Sequence, residues 1–232
     1  MPLLTRSRTR VTPRRKLPPA LDALALTRDE RQRVHMAASV LLDYPDEAWF
    51  ARIPQVRALI DPVPAEVRTP LLQFIDVAEA SDDLGRLYVN TFDLKRKCSL
   101  YLTYYANGDT RKRGTALVTI LEAYRAAGWE FDAQELPDYL PAVLEFSAMS
   151  DSEIAAALLS SHREGVEVLR AALEGMDSPW AGVVRAVTLS LPPIDAATRE
   201  RYLDLINEGP PTETVGLSFL GNLPPFQVRE DA

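Results

Sequence analysis

Two carboxylates and a tyrosine stand together in Glu135-Leu136-Pro137-Asp138-Tyr139-Leu140-Pro141-Ala142-Val143-Leu144-Glu145-Phe146. Such groups can hold a cation, cap a helix or work as an acid–base pair, and their spacing helps to separate these uses. Asp138 and Glu145 are seven residues apart, which on one helix means a shared face and about 10 Å along the axis. That separation suits an inverting glycosidase, but a single helix supplying both groups does not build the deep aromatic cleft such an enzyme needs. Two readings of Glu135, Asp138 and Glu145 stay open: a capped helix with solvated carboxylates, or an acidic surface that recognises a peptide. Pro137 suits a first helical turn, because its φ is fixed and it has no N–H to lose. Asp138 adds negative charge where the helix dipole is positive. Leu140, Val143, Leu144 and Phe146 follow near the helical period. An acidic entrance against an apolar wall suits a peptide that is cationic and then apolar.

The second segment with chemical potential runs from Asp93 through Lys95, Arg96, Lys97, Cys98, Tyr101, Tyr104 and Tyr105 to Asp109, Arg111, Lys112, Arg113 and Gly114. Cations interleaved with aromatic rings can bind nucleic acid by phosphate contact and stacking. Net charge opposes this. Residues 1–19 hold six basic side chains and no acidic one, so with a total of −7 the remaining residues 20–232 carry −13. A body of that charge repels a polyanion. Two local readings remain: the tyrosines fill core while the cations are solvated, or Arg96, Arg111 and Arg113 form a patch for a small anionic ligand or a partner.

Other catalytic vocabulary is sparse. Two histidines (His35 and His162) and one cysteine cannot build a closed Cys/His zinc site, and no spacing suggests a carboxylate-rich one. Cys98 rules out an internal disulfide and agrees with a reducing compartment. It reads as a small buried residue, and the histidines as surface or satisfied core groups. No apolar run approaches the roughly 18–20 residues of a membrane span. Arg14-Arg15 is followed by Lys16, Leu17, Pro18 and Pro19 with no apolar stretch, which argues against an export signal and for a cytoplasmic protein.

The elements that must position these groups read as helix after helix. Thr27-Arg28-Asp29-Glu30 has the form of a capping box before Val34, Ala37, Ala38 and Leu41. A second helix starts near Asp46, with Pro54 kinking or ending it. Further helices cover residues 66–80 and 82–92, and a stripe from Leu117 to Ala127 ends at Gly128. A second capping box, Ser150 to Glu153, opens a helix whose apolar face runs from Ile154 to Ala172. Ser178-Pro179 starts another, Asp195 caps a last one, and a proline-rich tail follows Gly209. With no alternating strand and no repeat, the chain reads as an all-α, single-domain bundle of about eight or nine helices. A basic arm covers residues 1–26, the helical domain 27–207 and an irregular tail 208–232.

The two chemical segments together resemble the NarJ-type nitrate reductase assembly chaperones, a branch of the TorD/DmsD redox-enzyme maturation family. The family pattern is matched at Glu135, Asp138, Tyr139, Leu144 and Phe146. The likeness to the branch lies in Phe92-Asp93-Leu94, in Ser99-Leu100-Tyr101-Leu102-Thr103, and in Gly108-Asp109-Thr110 with Arg113-Gly114. It covers about residues 28–175. Lys95-Arg96-Lys97-Cys98 departs from the mostly arginine pattern expected there, and the basic arm is unlike the compact members of the family. The resemblance implies an all-helical, non-catalytic protein that binds the N-terminal segment of a molybdenum-containing catalytic (alpha) subunit. That subunit would be held open for insertion of molybdopterin cofactor and an iron–sulfur cluster, with the membrane reached only through the reductase. It implies no stably bound cofactor, at most a transient contact with molybdopterin, no nucleic acid, and a monomer or weak homodimer. In this reading Glu135 and Asp138 orient the peptide's charged end and Tyr139 packs on it. Leu140, Val143 and Leu144 line or support the groove, with Tyr101, Tyr104 and Tyr105 alongside. The competing reading is a helical scaffold or regulator with an unrelated partner.

Overall fold

The computed structural model describes residues 21–132 and 135–191. Among these residues lie ten α-helices: α1 Arg28–Leu41, α2 Glu47–Ile60, α3 Ala65–Glu79, α4 Leu84–Tyr88, α5 Leu102–Asn107, α6 Lys112–Ala126, α7 Leu140–Met149, α8 Glu153–Ser161, α9 Arg163–Gly175 and α10 Ala181–Ser190. Their only β pairing is an isolated antiparallel bridge. None is long and apolar enough to cross a membrane. The all-α class is as expected, with more helices than the spacing counted.

Helix α1 is the hub, packed against α2, α7 and α10. Its capping box forms: Thr27 Oγ1 accepts from the Glu30 N–H and Glu30 Oε2 accepts from the Thr27 N–H. Its far end shows why the core closes there. A helix leaves its last carbonyls without intrahelical donors. Here the Trp49 indole donates to the Val40 carbonyl at 2.6 Å, the Trp180 indole to that of Leu41 at 3.2 Å, and the Tyr88 hydroxyl to that of Leu42 at 3.1 Å. Each ring buries a large apolar surface and spends its one polar group on an orphaned carbonyl. Phe74 joins them, its ring 5.5 Å from Trp180 and 6.3 Å from Trp49.

The structure refines four local readings. Pro54 lies inside α2 and does not end it; the carbonyl it leaves without a donor belongs to Phe50, a partly exposed residue where water can substitute. The helix expected from Ser150 to Ala172 is two helices that break at His162, and the cap of α8 is Ser152, whose hydroxyl accepts from the Ile154 N–H. Helix α5 was not expected, because its six residues are too few to show a period. Residues 21–26, assigned to the basic arm, pack on the domain instead: the Leu24 N–H donates to the Leu189 carbonyl, and Leu21 exchanges hydrogen bonds with Arg163 and Glu167. Those two residues form a buried ladder along α9 with Arg170. The rest of the arm, the helix expected after Asp195 and the proline-rich tail lie outside the described residues.

Candidate functional site

The two segments singled out in the sequence meet. Tyr101 and Tyr139 face each other across the isolated bridge. The Leu102 N–H donates to the Asp138 carbonyl at 2.9 Å and the Leu140 N–H to the Leu100 carbonyl at 2.7 Å. This junction fixes the start of α5 beside the start of α7.

Asp138 is not an exposed entrance group. Its side chain has no accessible surface, and it precedes α7 instead of sharing a helical face with Glu145. Its Oδ2 accepts from the Thr103 N–H at 3.0 Å and from the Thr103 hydroxyl at 2.5 Å. Thr103 lies in the first turn of α5, so Asp138 caps a helix, but one whose residues stand 35 positions earlier in the chain. Arg113 completes the cluster: its Nε donates to Thr103 Oγ1 at 3.3 Å and its Nη2 lies 3.7 Å from Asp138 Oδ2. The Arg113 guanidinium also sits over the Tyr101 ring at 5.4 Å.

Leu140, Val143 and Leu144 are fully buried and Tyr105 nearly so; they support the junction from behind without lining an open surface. Tyr105 donates to the Ser99 carbonyl at 2.7 Å. Pro137, expected to open α7, lies outside it, and Pro141 takes the first turn. Arg111 is exposed at the start of α6, and of the three arginines of the expected patch Arg96 and Arg113 line one concavity. Arg96 donates to the Tyr104 hydroxyl at 2.7 Å and to Asp109 at 2.5 Å.

Two shallow concavities flank Tyr101. One, about 250 Å³, is acidic and aromatic, with Asp43, Asp93 and Glu135 among Tyr44, Tyr88 and Tyr139. The other, about 400 Å³, holds Arg96, Arg113, Tyr104 and Asp109. Phe92 and Asp93 belong to both, delivered by a π-helical turn over Val89–Asp93. Tyr101 donates to Glu135 at 2.8 Å, and the Tyr88 and Tyr139 hydroxyls are 3.1 Å apart. Sequence reasoning gave no site role to Asp43, Tyr44 or Tyr88, which the tertiary fold brings to this concavity.

Tyr88, Cys98, Tyr101, Tyr105 and Tyr139 around the junction all have pKa values shifted upward. Burial pushes the Tyr139 hydroxyl up to about 12 and the Cys98 thiol to about 11. Burial also raises Tyr101, with Glu135 adding to the effect, and raises Tyr88 and Tyr105. All keep their protons at neutral pH, and the tyrosine hydroxyls act as hydrogen-bond donors. No group of three or more metal-ligating side chains occurs among the described residues.

The comparisons with known proteins bear on the same region. The family model "Nitrate reductase delta subunit" matches residues 60–186, more than half the chain. A protein of Bacillus subtilis assigned as a nitrate reductase molybdenum cofactor assembly chaperone is 35% identical over 165 residues, covering 70% of this chain and 90% of the relative. The chain belongs to the nitrate reductase delta subunit family, in its NarJ-type branch. The NarJ chaperone of Escherichia coli is 32% identical over 148 residues, spanning 62% of this chain and 63% of that protein. The nitrate reductase-like protein NarX of Mycobacterium tuberculosis is 37% identical over 154 residues, 66% of this chain but only 24% of the larger protein. In fold, the chain is similar to the crystal structure of a protein from Archaeoglobus fulgidus assigned as a redox enzyme maturation protein. The TM-score is 0.51 at 23% identity, over 72% of this chain and 95% of that one. The matched region contains both halves of the Tyr101–Tyr139 junction.

Proposed function

We propose that this protein is an assembly chaperone for a nitrate reductase. It binds the N-terminal segment of the catalytic subunit in the cytoplasm and keeps that subunit open for molybdenum cofactor and iron–sulfur insertion. The relatives' names supply the class of client. The observation that carries the binding reading is the acidic and aromatic concavity beside Tyr101, where Asp43, Asp93 and Glu135 stand among tyrosines. A peptide whose cations precede an apolar stretch places its charge against those carboxylates and its apolar side chains on the rings. The protein works without catalysis, as a monomer or weak dimer. The arginine side of the junction suits a cofactor phosphate less well, because Arg96 is held by Asp109 and Arg113 lies beside Asp138. The reading therefore assigns that side to the partner's surface.

The test is calorimetric titration of a synthetic N-terminal peptide of the catalytic subunit, paired with the molybdenum content of the reductase in cells lacking this protein. Neutralising Glu135 and Asp93 together is expected to weaken binding about tenfold, as two screened charge contacts allow. Unchanged affinity would remove the carboxylates from the site, and a reductase fully loaded with molybdenum would remove the chaperone role.

A further inference from the structure

A second acidic and aromatic pocket lies at the other end of the connection that leads into α7. Helix α6 ends in a Schellman motif: Gly128 adopts φ +82°, its N–H donates to the Arg125 carbonyl, and the Trp129 N–H donates to that of Tyr124. This tight reversal turns Trp129 and Phe131 back over the helix. The Trp129 ring stands 6.0 Å from Phe146, nearly perpendicular to it, and Tyr124 lies 5.2 Å from Phe131 and 4.4 Å from Phe146. Together they wall a pocket of about 260 Å³, with Met149 at its edge more than half exposed.

Glu130, Asp132 and Glu145 stand around this pocket. All three are exposed, and none makes an ion pair within the described residues. Three exposed carboxylates beside aromatic faces favour a cation with an apolar stem, which gains from both the charge and the ring quadrupoles. The volume admits a side chain or two and excludes a folded partner. A polyanion is repelled.

We propose that this pocket seats an arginine or lysine side chain, with its aliphatic neighbour, from a peptide of the client protein. It is a second subsite, distinct from the concavity beside Tyr101. The chemistry of the occupant follows from the pocket, while the identity of the peptide's owner rests on the chaperone reading. Met149 supplies a flexible, polarizable edge that fits aliphatic side chains of differing shape.

Trp129 provides the readout. The protein has three tryptophans, and Trp49 and Trp180 are completely buried, so acrylamide quenching of the accessible fluorescence reports this pocket. Two probes are titrated: the N-terminal peptide of the reductase catalytic subunit and a short model peptide of arginine and leucine. Both are expected to protect Trp129. The triple variant Glu130→Gln, Asp132→Asn, Glu145→Gln is expected to lose about tenfold in affinity, while a control with Glu66→Gln and Asp82→Asn binds normally. All the substituted carboxylates are exposed, so folding is preserved. If the reductase peptide binds by calorimetry but leaves Trp129 quenching and the triple variant unaffected, the pocket proposal falls and the chaperone reading stands. If the reductase peptide binds nowhere while the model peptide protects Trp129 and depends on the three carboxylates, the pocket stands and its client is another protein. Protection by neither peptide overturns the proposal.

Discussion

Thr103 gives both its backbone N–H and its hydroxyl to Asp138, and its hydroxyl oxygen accepts from Arg113. Removing the carboxylate leaves two buried donors and a guanidinium that is only partly exposed without their common acceptor. Asp138→Ala is therefore expected to lower the unfolding free energy by about 2–4 kcal/mol, the range for breaking a buried charged network. Urea titrations monitored by circular dichroism measure it. Glu135→Gln, on an exposed residue bonded among the described residues to the Tyr101 hydroxyl, is expected to stay within about 0.5 kcal/mol. Weak peptide binding by an Asp138 variant thus reports a damaged fold, whereas weak binding by a Glu135 variant reports a lost contact. The residue types of this motif were legible in the sequence. Their division into one buried strut and one surface group was not, because desolvation depends on neighbours 35 positions away.

At the scale of elements, helices α3 and α10 approach so closely that side chains are excluded from part of their contact. A Cβ on Gly182 of α10 would lie 2.8 Å from the Pro70 carbonyl oxygen of α3. That atom belongs to a helix backbone and cannot swing aside. Gly182→Ala is expected to cost about 1–3 kcal/mol through overpacking. Gly114→Ala in α6, where a Cβ would meet nothing within 4 Å, is expected to be neutral or to stabilise by up to about 1 kcal/mol. Thermal unfolding of the two variants compares them directly. The positions of α1, α2, α3 and α6 were readable because caps and apolar periods are local signals. Helix α5 was not readable, since its first turn depends on a carboxylate lent by another part of the chain.

At the scale of the whole molecule, His35 ties three helices together. From α1 its Nδ1 lies 3.0 Å from Ser147 Oγ of α7 and its Nε2 lies 2.8 Å from Ser190 Oγ of α10. Ser190 gives its own proton to the Val187 carbonyl, so Nε2 carries the ring's hydrogen and Nδ1 accepts from Ser147. The ring is thus held neutral. Burial, with the Arg31 charge adding to it, lowers its pKa from 6.5 to about 3. Because the folded-state value is the lower one, the unfolded chain takes up the proton first. The stability linked to His35 is complete above pH 6.5 and is lost as pH falls towards 3, at roughly 1.4 kcal/mol per pH unit. Between pH 6.5 and 4.5 the wild type is expected to lose about 2–3 kcal/mol more than His35→Gln, whose stability lacks this contribution at both pH values. Urea midpoints at the two pH values check the difference.

The sequence by itself determined the helical class and the caps at Thr27 and Asp46. It also determined the poverty of nucleophiles and metal ligands, and the presence of two motifs whose pairing marks the family. These properties depend on residue type and on spacing within a few turns. Only the tertiary structure decided that Asp138 caps α5, that Tyr101 pairs with Tyr139, and that Asp43, Asp93 and Glu135 share one concavity. It likewise turned Trp129 back over Phe146 beside three exposed carboxylates that make no ion pair among the described residues. The reason is physical: a helical period constrains neighbours along the chain, whereas burial and charge pairing are set by the path that brings distant segments together.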